Sequence, residues 1–248
     1  MVPELVEPGP RRVLIVDPSA EVRHEVGRHL GQLGYEVFDA ESGQLGLLRF
    51  QDLAPSVVLL EAMLPDGPGL DVCREIRRVD AVSPVLIMGS SSDEIDVVVA
   101  LEIGADDYLT KPLRLRELSA RLAAHLRKAQ GDRNRHLRGR LEFEDLIVDV
   151  NQRRVQTLAS GDDGSQWVDV VLTHTEFDLL AYLAVNAGRV LSRERILNTI
   201  WGYDYPIETR VIDVHVRNLR KKIEPDPSRP THVLAVPGIG YRFTNSRP

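Results

Sequence analysis

Five times within about 120 residues the chain repeats one pattern: a short apolar run, then a stretch with apolar residues three and four apart. The apolar runs are Val13-Leu14-Ile15-Val16, residues 35–38, residues 56–60 (SVVLL), residues 85–88 and Tyr108-Leu109. The helical stretches end at Gly31 or span 42–51, 70–78, 95–103 and 115–128. Continuous apolar runs suit strands buried on both faces, and strands alternating with helices make a parallel sheet covered on both sides. The front half is therefore expected to be an α/β domain with a five-stranded parallel, flavodoxin-like sheet. Ligands in such a fold sit beyond the carboxyl ends of the strands, here near Asp17, Glu61, Gly89 and Lys111.

The remaining residues follow a different rule. Residues 129–140, AQGDRNRHLRGR, have no apolar periodicity and read as a linker. Short strands are then expected at 141–143, 146–150, 153–158 and 167–172, with Gly161-Asp162-Asp163-Gly164 as a loop. Thr173-His174-Thr175-Glu176 has capping-box spacing and opens a helix to Asn186, and Ser192 is a suitable N-cap for a helix to Ile200. The four expected units are thus a loose tail at 1–10, an α/β domain at 11–128, the linker, and a second domain at 141–248.

Residues 208–223, ETRVIDVHVRNLRKKI, carry the clearest functional signal. Wound as a helix they place Ile212, Val216, Leu219 and Ile223 in one stripe, with Arg210, Arg217 and Lys221 opposite and Val214 and Asn218 beside them. Arginine and lysine neutralise phosphates or fork onto guanine, and asparagine can pair bidentately with adenine. Alone, this is also the pattern of an ordinary solvated helix. A hairpin follows, however, with HVLAV and YRF turned through Pro237-Gly238-Ile239-Gly240. Helix followed by hairpin is a winged helix-turn-helix.

Charge supports a localised anionic partner rather than indiscriminate binding. Residues 1–130 hold 14 basic and 21 acidic side chains, and residues 131–248 hold 17 and 16. The single cysteine, Cys73, excludes an internal disulfide, lies in a helical pattern as a buried small hydrophobe, and fits a reducing cytoplasm. No apolar run reaches membrane-spanning length, and residues 1–10 lack the form of a signal peptide. The seven histidines form no metal-spaced cluster. No nucleophile–base arrangement stands out beyond the α/β pocket, so neither a cofactor nor catalysis is expected.

The order of elements, with LLEAMLPDGPGLDVCREIR, LEIGADDYLTKPL, LTHTEFDLLAYL, GRVLSRERIL, WG, TRVIDVHVRNLRKKIE and GIGYRF, resembles the OmpR/PhoB family of response regulators over nearly the whole chain. The resemblance implies a receiver domain joined to a winged-helix DNA-binding domain. It implies phosphorylation of a receiver aspartate beside Mg²⁺, with a threonine and an aromatic residue then rearranging. It also implies a homodimer through the receiver, placed on tandem sites of double-stranded DNA. Arg210, Arg217, Arg220 and Lys221 match basic family positions. Asn218 stands where arginine is common, and Pro237 where a minor-groove arginine often lies.

The phosphorylation positions depart from the family in three places. Glu61 replaces the acceptor aspartate, Pro18 replaces one of the acidic pair beside Asp17, and Gly89 replaces the switch threonine, with Ser90 adjacent. Tyr108 and Lys111 keep their family positions. Asp17 with Pro18 also reads as an N-cap and first helical residue. Mg²⁺ demands convergent hard oxygens in octahedral geometry, so the pocket is expected to work without phosphate. Glu61 is either a mimic of the charged state or the result of drift. At the family's dimer face, Asp107 and Arg121 match an intersubunit salt bridge, with Asp106 beside them. Glu117 matches an acidic position whose basic partner is here Val97. A receiver that senses a small molecule or a protein partner is the alternative.

Overall fold

The computed structural model describes residues 11–91, 93–128, 139–161, 164–202 and 210–244. In the receiver, β1 (Arg12–Val16), β2 (Glu36–Ala40) and β3 (Val57–Glu61) alternate with α1 (Ala20–Gln32) and α2 (Gly43–Leu53). A small hairpin, β4 (Met63–Leu64) and β5 (Gly67–Pro68), leads to α3 (Gly69–Val79). Then come β6 (Val85–Gly89), α4 (Glu94–Ile103), β7 (Asp107–Thr110) and α5 (Leu115–Lys128). The five long strands form one parallel sheet in the order β2-β1-β3-β6-β7. Alternate strand residues feed two cores. Val13, Ile15, Leu59, Leu86 and Met88 pack with Val26, Leu30, Leu118 and Leu122. Leu14, Val16, Leu60 and Ile87 face Val72, Cys73, Ile76, Ala100 and Leu101. Each fully buried aliphatic side chain contributes roughly 1.5–3 kcal/mol over exposure, which is what holds the strand ends in register.

One local expectation is corrected. The N-cap of α1 is Ser19, whose side chain accepts from the Val22 N–H, while Asp17 accepts from the Ser19 N–H at 2.8 Å. Pro18 therefore lies outside the helix. Its fixed φ sets the turn between strand and cap.

The second domain opens with a four-stranded antiparallel sheet of β8 (Arg140–Glu142), β9 (Leu146–Asp149), β10 (Arg154–Gly161) and β11 (Gly164–Val170), in the order β11-β10-β9-β8. Pairing of β10 with β11 runs to Gly161 opposite Gly164, so the expected four-residue loop shortens and β11 begins three residues earlier. Next are α6 (His174–Val185), β12 (Val190–Ser192), α7 (Arg193–Ile200), α8 (Arg210–Ile223), β13 (Val233–Val236) and β14 (Gly240–Phe243). The capping box at Thr173 and Glu176 and the Ser192 cap both form. Strands β12, β14 and β13 make the three-stranded sheet of the wing. Gly240 is required there, because a Cβ would overlap the Leu191 carbonyl of the neighbouring strand.

The buried side chains of this domain join the α2–α3–α4 side of the receiver in one continuous core. The junction is α4 against α8.

Candidate functional site: the receiver pocket and the basic helix

Asp17 and Glu61 stand at the carboxyl ends of β1 and β3, and Lys111 follows β7, so the parallel topology alone brings the three together. The Lys111 ammonium lies 2.6 Å from Asp17 Oδ2 and also meets Glu61 Oε2. Both carboxylates are buried. The second oxygen of Asp17 is occupied by the Ser19 N–H, and Glu61 Oε1 accepts from the Met63 N–H at 3.3 Å. Burial disfavours the charged ammonium, but its bonds to Asp17 and Glu61 outweigh this and hold Lys111 above its usual value. One cation thus bridges two carboxylates at the mouth of the sheet.

Above them, Gly89 ends β6 with Tyr108 alongside. A Cβ at position 89 would overlap the Tyr108 hydroxyl. The phenol therefore fills the space that a side chain at 89 would need, and Tyr108 is buried. Burial, with Asp96 and Glu61 nearby, raises the Tyr108 hydroxyl above its usual value, keeping it a neutral donor. Ser90 is exposed at the end of the strand. The sequence brings Asp17, Glu61, Gly89, Tyr108 and Lys111 to one place, with Pro18 exposed at its rim. Among the described residues no group of three or more His, Cys, Asp or Glu is arranged to hold a metal ion.

On α8 the expected stripe is formed: Ile212, Val216, Leu219 and Ile223 are all buried. The other face is not open water. Asn218 is buried, and its Nδ2 donates to the Leu101 carbonyl of α4 at 3.0 Å. Arg217 pairs with Glu102, also on α4. Arg220 donates twice to the Val233 carbonyl of the wing and lies over the Tyr241 ring. Val214 is half-buried and Lys221 exposed. Arg210 begins the helix, but its side chain lies outside the described residues.

Two domain matches and several relatives agree with this architecture. Residues 13–123 match the response regulator receiver domain, and residues 168–243 match the family described as transcriptional regulatory protein, C terminal. The sensory transduction proteins RegX3 of Mycobacterium tuberculosis and Mycobacterium bovis are each 40% identical over 231 residues, 93% of this chain and 98% of theirs. The chain belongs to the OmpR/PhoB family of response regulators. Among solved structures, DrrB, a Thermotoga maritima OmpR/PhoB homologue, is 33% identical with a TM-score of 0.50, covering 95% of this chain and 99% of its own. Two mutants of RitR, each 26% identical, superpose with TM-scores of 0.73 and 0.75 over 95% of this chain and all of theirs.

DNA binding and dimerisation are typical of OmpR/PhoB regulators, which bears on the face expected to pair with a second copy. In the single chain Asp107, Glu117 and Arg121 pair with one another. Arg121 reaches Asp107 of its own chain at 3.0 Å and also meets Glu117, and Asp107 and Arg121 are both buried. The effector domain, residues 141–248, meets this edge of the receiver through the amino end of α6. Asp106 Oδ1 accepts from the Thr175 N–H, in the first turn of α6, at 2.9 Å. Its Oδ2 takes Arg77 at 2.6 Å and the Val85 N–H at 2.9 Å. Sequence reasoning missed that the receiver covers α8. The available signal was Val97-Val98-Val99-Ala100-Leu101, more apolar than a helix packed on one sheet requires.

Proposed function

We propose that this OmpR/PhoB regulator is a sequence-specific transcription factor that works as a dimer on tandem half-sites of double-stranded DNA, without phosphorylation of its receiver. The observation that carries the reading is the Asp17–Lys111–Glu61 bridge beneath a Tyr108 hydroxyl seated over Gly89. Phosphoryl transfer to a carboxylate needs a free nucleophilic oxygen, a hard cation beside it and a hydroxyl to receive the new oxygens. Glu61 spends its charge on Lys111. The donor set does not fit Mg²⁺: Pro18 offers no side-chain oxygen, and both oxygens of Asp17 are already engaged. The hydroxyl position is occupied by the Tyr108 phenol. The Lys111 bridge supports a lasting structural role for Glu61 over drift.

Within this reading Asn218 and Arg217 contact bases or phosphates, Lys221 neutralises a phosphate, and Arg220 holds the wing against α8. A second reading, in which the receiver senses a small molecule or a protein and so controls DNA binding, is favoured by the contact of α8 with α4. The two readings meet if that signal parts the helices.

Acetyl phosphate with Mg²⁺, or beryllofluoride, tests the proposal. Oligomeric state and affinity for a footprinted site should not change. Stoichiometric, acid-labile phosphorylation of the protein would overturn it.

A further inference from the structure

The boundary between the two domains is not a plain apolar seam. Three imidazoles from three elements converge on it: His125 of α5, His174 of α6 and His215 of α8, each buried. The His125 and His174 rings are 6.1 Å apart, and His125 Nε2 lies 3.6 Å from Asp107 Oδ2. His174 Nε2 stands 3.3 Å from Asp178 Oδ2, with Arg153 on its other side. His215 packs on Trp201 and makes no hydrogen bond through Nε2 among the described residues. The same seam holds Asp106, whose carboxylate ties β6 and α3 to the amino end of α6.

We propose that this histidine cluster is a proton-operated latch: acidification charges His174 and His215, parts the receiver from the effector domain and frees α8 for DNA. The proposal rests on the reading that receiver contact controls access to α8.

The charges facing the cluster decide the sign. Arg121 and Glu117 face it from α5, Asp107 from β7 with Asp106 just before that strand, and Arg77 from α3. Glu176 and Asp178 lie on α6, and Arg153 stands just before β10. Lys222 of α8 reaches Glu176 at 2.6 Å. The acids are already matched by arginines and lysine, so added imidazolium charge finds few free partners. Burial pushes His174 down to about 4 against the pull of Asp178, and pushes His215 down against the pull of Asp106. A histidine depressed in the closed form binds its proton more tightly when open. Closure is therefore fully favoured above the ordinary value of 6.5 and weakens as pH falls towards 4. One unit below that ordinary value, each depressed imidazole shifts the balance towards opening by up to about tenfold.

Small-angle scattering of the full chain without DNA reads the latch directly. The radius of gyration should rise between pH 7.5 and pH 5.5 with helical circular dichroism retained, and His174→Gln with His215→Gln should flatten the profile. Affinity for the specific site at fixed salt should rise over the same range in the wild type only. A wild-type radius constant to pH 5.5, or a double variant that follows the wild type, would overturn the latch. Should the double variant lose its helical signal, the single variants decide: each should lower the steepness of the pH profile, and unchanged steepness in both refutes the proposal. Scattering needs no DNA, so a chain that opens yet binds no site at any pH counts against the DNA reading alone.

Discussion

Glu61, Gly89 and Lys111 act as one unit. Removing the cation by Lys111→Met leaves the Asp17 and Glu61 carboxylates facing each other with no positive charge between them. A fully buried pair broken in this way costs roughly 3–5 kcal/mol, and partial exposure of the lysine reduces the expected loss to about 1–3 kcal/mol. Urea denaturation at pH 7 measures it. The raised value of Lys111 means its contribution is complete below the ordinary lysine value of 10.5 and fades as pH climbs past the elevated one. The gap between wild type and variant should therefore close only in strong alkali. Gly89→Thr, which restores the family's hydroxyl in name, forces the side chain into the Tyr108 phenol. It should cost about 1–3 kcal/mol through overpacking, read by the same denaturation. The residue identities at 18, 61 and 89 were legible in the sequence, but the seating of Tyr108 over Gly89 was not. A missing Cβ says that space exists, not what fills it.

Among the elements, α8 and α4 carry the argument. The periodicity of α8 gave its buried stripe correctly, because four apolar residues on one arc can only face a core. It could not say that Asn218 would be donating to the Leu101 carbonyl, since a polar helix face suits water, DNA or another helix equally well. This doubles the meaning of one substitution. Asn218→Ala should relax preference at one base pair of each half-site by about 1–3 kcal/mol. Because it also removes a bond that holds the closed form, absolute affinity alone would mislead. The ratio of affinities for matched and mismatched sites cancels the closing equilibrium and isolates the base contact. Lys221→Ala should weaken all sequences alike and lower the salt slope by about one, because the proposed role of this exposed lysine is to neutralise a phosphate. The α5–β7 edge teaches a related lesson. Residue types alone left Asp107 and Arg121 free to pair within a chain or across two. Arg121→Asp should first cost fold stability, about 3–5 kcal/mol, because it leaves buried carboxylates together. Thermal denaturation showing an unchanged midpoint would return the pair to an intersubunit role.

At the scale of the whole molecule, both domains were legible because their periods differ. Buried parallel strands alternate with helices in the front, and short antiparallel strands precede three helices and a β-sheet wing in the back. Their mutual placement was not legible, because it rests on a handful of contacts far apart in sequence, such as Asp106 with Thr175 and Arg217 with Glu102. In the closed arrangement the receiver meets the second domain at two places, α4 against α8 and Asp106 against the amino end of α6. Under the proposed function, opening rather than phosphate is what releases α8 for DNA. Hydrogen exchange of the α4 amides, Glu94–Ile103, in the full chain tests this most directly. Specific DNA should lower their protection by drawing α8 away, while acetyl phosphate with Mg²⁺ should leave it unchanged. Protection indifferent to DNA, or lost on adding the phosphodonor, would contradict the account.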